Sequence, residues 1–128
     1  MQYKLIIEGR LPALNEYILA SNSDRHRGNR LKKETEEIIT GYILQQLRKV
    51  KIEKPVRVDY SWYEPTKKRD LDNISSFGRK CIQDALVRSG VLHNDGWKQI
   101  VGFSDLFFID KEKPRIEILI TEIEGELQ

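Results

Sequence analysis

The sequence predicts an α+β domain in which two main helices pack on a small mixed β-sheet, in the order β-α-β-α-β-β. The prediction depends on three observations. Apolar residues alternate with polar ones at residues 1–8 and 56–64, as they do in half-buried strands. Apolar residues recur with helical spacing in two long segments. Two further strand-like segments close the chain.

Length and composition fit an ordinary globular protein. The 128 residues suit one domain spanning residues 1–128, with 39% hydrophobic and 33% charged residues. No apolar run approaches the roughly 18 residues of a membrane span, and no signal peptide opens the chain. Cys81 is the only cysteine, which excludes an internal disulfide. We therefore expect a cytoplasmic protein without a membrane partner.

The first half of the chain predicts strand, loop, helix and strand. Residues 1–8 form the first strand, and a polar loop is expected at residues 21–29. Residues 29–50 predict a helix with an apolar stripe of Leu31, Thr35, Ile38, Ile39, Tyr42 and Ile43. Residues 56–64 predict the second strand, whose inward side chains are Val56, Val58, Tyr60 and Trp62.

The central helix has the clearest periodicity. Its apolar stripe consists of Ile74, Phe77, Gly78, Cys81, Ile82, Ala85 and Leu86. Asp72 stands where an N-cap is expected, and Gly90 where a C′ residue is expected, so the helix spans residues 73–89. Residues 98–110 and 115–123 then predict two strands joined as a hairpin by the turn at residues 110–114.

Two carboxylates precede the central helix. In an extended segment residues i and i+2 point to the same side, so Asp70 and Asp72 can present oxygen ligands to one Mg²⁺ ion. Asp95, beyond the helix, is a candidate third ligand. The residues also have a purely structural interpretation, in which Asp72 caps the helix and Asp70 and Asp95 occupy turns.

Basic residues form two clusters, although the net charge is only +2. One lies directly before the carboxylates, and the other lies in the predicted polar loop and the start of the following helix. Both clusters could bind nucleic-acid phosphates, or they could simply be solvated. Their members are Lys67, Lys68 and Arg69, and Arg25, Arg27, Arg30, Lys32 and Lys33.

Other common sites are not indicated. An EF-hand beginning at Asp70 would need Gly at position 75, which is Ser75. Two histidines and one cysteine, widely spaced, make a poor zinc site. The sequence has no glycine-rich phosphate loop and no Ser-His-Asp order, so we expect no nucleotide cofactor.

The motifs together resemble the RusA family. They comprise Asp70-Leu71-Asp72-Asn73, then Lys80, Asp84-Ala85-Leu86, Gly90-Val91 and Asn94-Asp95, with Pro12-Ala13-Leu14-Asn15-Glu16-Tyr17 near the start. The family consists of small Mg²⁺-dependent homodimeric endonucleases, often carried by prophages, that resolve Holliday junctions. The interval from Asp72 to Lys80 is about one helical turn longer than in its type member.

The resemblance implies a function and a site. It implies a RusA-like fold and metal-assisted phosphodiester hydrolysis of four-way junctions in recombination and repair. The implied catalytic residues are Asp70, Asp72, Asp95 and Lys80, the first three as Mg²⁺ ligands, and Asn15 and Asn73 join the basic residues as DNA contacts. The alternative is a non-catalytic accessory protein that binds branched DNA, in which the aspartates only cap and turn.

The length of the central helix limits how Asp95 can reach the aspartate pair. A straight helix over residues 73–89 is about 25 Å long. Residues 90–95 span at most about 20 Å. Either the helix bends near Gly78, or a two-fold dimer brings Asp95 from the partner. We favour the shared site, because a four-way junction is cut on two symmetrically placed strands.

Overall fold

The computed structural model describes residues 1–124 and confirms the α+β class. Four strands and three helices follow one another along the chain. They are β1 (Gln2–Glu8), α1 (Leu14–Ser23), α2 (Arg25–Gln46), β2 (Val56–Glu64), α3 (Leu71–Arg88), β3 (Ile100–Ile109) and β4 (Arg115–Glu122). The observed bounds of β2 are the predicted ones, and α3 lies within two residues of its predicted ends.

The strands form one mixed sheet in the order β1-β4-β2-β3. Strand β4 is antiparallel to both β1 and β2, whereas β3 is parallel to β2. The predicted β3–β4 hairpin is therefore wrong. Asp110 donates its N–H to the Glu64 carbonyl, so the connection after β3 passes the end of β2 before β4 begins. The burial of β4 explains this order. Ile116, Ile118 and Ile120 are buried, and a central strand of the sheet is better covered than an edge strand.

The core lies on one face of this sheet. The registers place the buried side chains of β1, β2 and β4 on the same side, where they join the apolar stripe of α3 and Ile39 and Ile43 of α2 in one cluster. Ile38, which was predicted for the α2 stripe, is exposed instead. Trp62 and Tyr60 are its largest fully buried members. The predicted inward faces of β2 and α3 are confirmed.

The polar loop predicted at residues 21–29 is wrong, because most of it is helical. Helix α1 ends at Ser23, and α2 begins at Arg25, earlier than expected, and ends at Gln46. Asp24 separates them and accepts the His26 N–H at 2.9 Å, which caps α2. The two helices cross closely at Gly28, where an added Cβ would lie 3.0 Å from the Ser21 Cα.

Helix α3 begins earlier than the sequence indicated. Asp70 occupies its N-cap position, so the prediction that Asp72 is the cap is wrong, and Asp72 lies in the first turn. Gly90 follows the helix with φ +84°, as predicted for a C′ glycine. The helix runs unbroken through Gly78, which lies against the Trp62 ring. In the described chain, no helix is long and apolar enough to cross a membrane.

Candidate active site

Asp70 and Asp72 lie at the junction between β2 and α3. Asp70 has extended backbone angles (φ −71°, ψ 153°), and its side chain makes no capping hydrogen bond. Asp72 is helical, so the extended i, i+2 geometry expected from the sequence is not observed. Both residues are exposed, and neither has an ion-pair partner among residues 1–124. The helix N-terminus favours negative charge here, and the two carboxylates remain available to a ligand.

A cavity of about 370 Å³ lies beside Asp70. Glu64 lines it at the end of β2 and is only 5% exposed. Its carboxylate accepts from Arg10 at 3.2 Å and lies 3.9 Å from Arg69. Glu64 is not among the site residues predicted above, although the sequence contains a signal for it. Its charged side chain occupies an inward position of a strand whose other inward residues are apolar.

The basic cluster before α3 divides into two parts. Arg69 is half-buried and held against the protein, because it pairs with Glu16 at 2.7 Å and donates to the Leu11 carbonyl at 3.3 Å. Lys67 and Lys68 are exposed and have no carboxylate within ion-pair distance in the described chain. The two lysines are therefore the members of this cluster best placed to meet a phosphate.

Asp95 lies beside Lys80 and away from the aspartate pair. The Lys80 Nζ is 3.3 Å from the Asp95 Oδ2 and 2.9 Å from the Asp84 Oδ1. Asp84 also binds Lys32 at 2.8 Å, and Lys32 reaches Glu36 at 2.9 Å. These ion pairs tie α2, α3 and the loop before β3 together.

The ion pairs fix the protonation of Lys80. Its hydrogen bond to Asp84 raises the pKa of Lys80 above the usual value. Burial favours the neutral form of Asp84, but Lys32 and Lys80 outweigh it and hold the Asp84 pKa below its ordinary value. Lys80 is thus an ammonium ion at neutral pH, suited to contact a phosphate and unsuited to act as a base.

A single chain does not bring all four predicted catalytic residues together. Lys80 lies ten residues beyond Asp70 in the sequence, which is about 15 Å along a helix. Asp95 contacts the Lys80 ammonium, on the part of α3 beyond the pair. Within residues 1–124, no three His, Cys, Asp or Glu side chains gather as a metal-binding group. The predicted site residues of one chain thus fall into two groups, called half-sites below: the aspartate pair and the Lys80–Asp95 pair.

The second basic cluster lies on the first turns of α2. Arg25, Arg27, Arg30 and Lys33 are exposed, and in the part of the chain described none pairs with a carboxylate. Lys32 differs from these four residues, because its ammonium forms ion pairs with Glu36 and Asp84.

Asn15 and Asn73 join the two motifs of the family resemblance. The Asn73 Oδ1 accepts the Asn15 N–H at 2.8 Å, which fixes the start of α1 against the start of α3. The Tyr17 and Phe77 rings stack behind this bond, with centroids 4.6 Å apart. The bond gives Asn73 a structural role, and contact of either asparagine with DNA stays a prediction.

A family model described as Endodeoxyribonuclease RusA matches residues 20–121, which is most of the chain. No curated protein matches the chain. The match spans α2, α3, both half-sites and all of β3.

Proposed function

The chain belongs to the RusA endodeoxyribonuclease family, and from this premise we propose that it is a Mg²⁺-dependent resolvase of Holliday junctions in recombination and repair. Family membership makes it a nuclease of branched DNA, and the accessory-protein alternative loses its support. The observation that carries the proposal is the pair of carboxylates Asp70 and Asp72, which have no ion-pair partner among residues 1–124 and lie beside the exposed Lys67 and Lys68.

The donor set fits a hard cation. Mg²⁺ prefers a few carboxylate ligands and retains several waters. Asp70 and Asp72 would hold it on one side, and Asp95 would complete the set. When bound, such an ion supplies charge relief at the phosphate and lowers the pKa of a water. Since Asp70 makes no capping bond, holding the ion would break no contact of that side chain.

Lys80 would assist as a cation. Its ammonium, held by Asp84 and Asp95, can contact a non-bridging phosphate oxygen and stabilise the charge that develops during hydrolysis. Asp84 and Lys32 act through Lys80 and are positioning residues. In this arrangement Asp95 contributes both to the metal site and to the placement of Lys80.

The two half-sites would meet in a homodimer. Asp70 and Asp72 of one chain would be completed by Asp95 of the partner subunit, and the two-fold axis would generate a second site. The unbroken α3 supports this arrangement, because a continuous helix of this length separates the chain's own Asp95 from the pair. Two symmetric sites suit a four-way junction, in which two strands must be cut.

The requirement for Mg²⁺ can be tested directly. A labelled four-way junction incubated with the protein and Mg²⁺ should yield nicked duplexes, and EDTA should remove cleavage to background while binding persists. The reason is that two carboxylates alone repel the phosphate and cannot stabilise the developing charge. Undiminished cleavage in EDTA would contradict the metal site, and absence of cleavage with every divalent ion tried would contradict the resolvase activity.

A second prediction concerns how Lys67 and Lys68 contribute to the salt dependence of DNA binding. Log affinity for a junction falls with log salt in proportion to the number of phosphates neutralised, with a slope of about −0.9 for each. Each subunit that loses Lys67 and Lys68 to alanine should therefore flatten the slope by about 1.8. Arg48 and Lys51, equally exposed but before β2, supply the matched double-alanine control. The control should keep the wild-type slope, and an unchanged slope in the Lys67 and Lys68 variant would place the DNA elsewhere on the surface.

A further inference from the structure

Trp97 lies exposed beside one of the two half-sites. Its side chain is 95% exposed, and it follows Asp95 by two residues in the turn between α3 and β3. Hydrogen bonds hold this turn, because the Gly96 carbonyl accepts the N–H groups of Gln99 and Ile100 at 3.0 Å each. A tryptophan displayed in this way next to predicted catalytic groups is typical of a residue that contacts a ligand.

Trp97 forms part of the wall of a cavity of about 560 Å³, which Asp95, Gln83 and Phe103 also line. Phe103 is 48% exposed, and the Arg79 guanidinium covers one face of its ring at 4.5 Å from the centroid. The volume falls within the range of about 300–1,000 Å³ that is usual for ligand pockets. Two aromatic side chains in the lining of such a cavity suit a flat, aromatic ligand.

The polar groups around the cavity suit a nucleotide. The Gln83 Nε2 donates to the Tyr60 hydroxyl at 3.3 Å, and within residues 1–124 the Gln83 Oε1 accepts no hydrogen bond. Lys80, whose ammonium contacts Asp95, precedes Gln83 by three residues on α3. Side chains at this spacing lie about 5–6 Å apart, a separation that one nucleotide spans between its phosphate and its base. Lys98 is exposed, and in the described part of the chain it pairs with no carboxylate, so it can meet a neighbouring phosphate.

We propose that this cavity binds one nucleobase, unstacked from the DNA strand whose phosphate Lys80 contacts. The base stacks on Trp97 and Phe103 and turns its edge towards Gln83, since amide side chains recognise base edges by hydrogen bonds. A base leaves its stack at least cost where a regular duplex is interrupted, as it is at the branch point of a four-way junction. This inference rests on the proposed function, and it makes the cavity a determinant of which sequence is placed for cleavage.

The first experiment distinguishes stacking from a merely apolar contact. In EDTA, Trp97→Leu should weaken binding of an immobile four-way junction by roughly 5- to 150-fold, because leucine has no aromatic face. Trp97→Phe should retain most of the affinity. Leu44→Ala, a change at an apolar residue of α2 that is 51% exposed, is the matched control and should bind as the wild type does. Junction binding should also quench tryptophan fluorescence in the wild type and not in Trp97→Leu, which keeps the buried Trp62.

The second experiment locates the base. An iodinated deoxyuridine is placed in turn at each branch-point position of the junction, and the complex in EDTA is irradiated with ultraviolet light. Mass spectrometry should find a cross-link to Trp97 from particular positions only, because a base must lie against the ring to react. At such a position, Gln83→Leu should reduce the differences in affinity among the four bases. Undiminished differences in this variant would overturn recognition of the base edge by Gln83.

The outcomes separate this inference from the proposed function. Equal affinity of wild type and Trp97→Leu, or the absence of a cross-link to Trp97 at every position, would overturn the base pocket. Sedimentation equilibrium without DNA should give the same association for both proteins. Weaker association of Trp97→Leu would make Trp97 a protein–protein contact and overturn the inference too. Binding and cross-linking that depend on Trp97, without cleavage in any divalent ion, would instead overturn the resolvase activity and leave the pocket intact.

Discussion

Asp70→Asn and Asp72→Asn should each lower the rate of junction cleavage at least about 100-fold while leaving junction binding intact or stronger. Each change removes one negative ligand charge, and several kcal/mol of metal-derived stabilisation depend on those charges. Binding is preserved because one carboxylate fewer also means less repulsion of phosphate. Single-turnover cleavage at saturating Mg²⁺ and a separate binding titration in EDTA measure the two effects.

The same variants separate a metal ligand from a helix cap. Loss of a capping side chain costs about 0.5–2 kcal/mol of stability. Asp70 makes no capping hydrogen bond, so Asp70→Asn should leave the free energy of unfolding nearly unchanged. Glu37→Gln, an exposed carboxylate on α2, is the control for loss of charge. Normal cleavage combined with a clear loss of stability would return Asp70 to a purely structural role.

The elements that the sequence predicted well are those in which nearly every buried position holds an apolar side chain. In β2 every second residue is buried, and in α3 the stripe from Ile74 to Leu86 is buried throughout. Helix α1 has no fully buried residue, and the first turns of α2 are charged. Those segments are helical because Asp24 caps α2 and because the two helices pack together near Gly28. Neither the cap nor this packing produces a periodic pattern of apolar residues in the sequence.

The spacing of apolar residues alone does not predict the order of the strands in the sheet. Two strands separated by a short turn usually pair, yet β2 lies between β3 and β4. The turn at residues 110–114 is compatible with either arrangement. The deciding difference is burial, because the alternate residues of β4 are fully buried whereas β3 keeps apolar side chains exposed on both faces.

The sequence predicted which residues belong to the candidate site, but not which of them contact one another. The motifs identified the aspartate pair, Lys80 and Asp95, and their catalytic roles remain predictions. The structure adds that Lys80 and Asp95 are in contact and that Arg69 is occupied by Glu16. Contacts between residues distant in sequence, such as Asn15 with Asn73, depend on how α1 and α3 meet, and local pattern does not encode that.

A mixed dimer of an Asp70→Asn chain and an Asp95→Asn chain should recover cleavage that neither parent dimer has. With shared sites, one site carries both substitutions and the other carries none, so one intact site remains. That site should nick one strand, raising activity at least about 100-fold over either parent. With self-contained sites, each site carries one substitution and both stay defective.

The mixed dimer is purified through two different tags and given a plasmid with an extruded cruciform. Shared sites predict accumulation of nicked circles with little linear product, because paired cuts need both sites. A mixed dimer of Asp70→Asn with Asp72→Asn is the matched control: both of its sites are defective in either arrangement, and it should stay inactive. If the first mixture is verified as a heterodimer and is no more active than this control, Asp95 does not act across the interface.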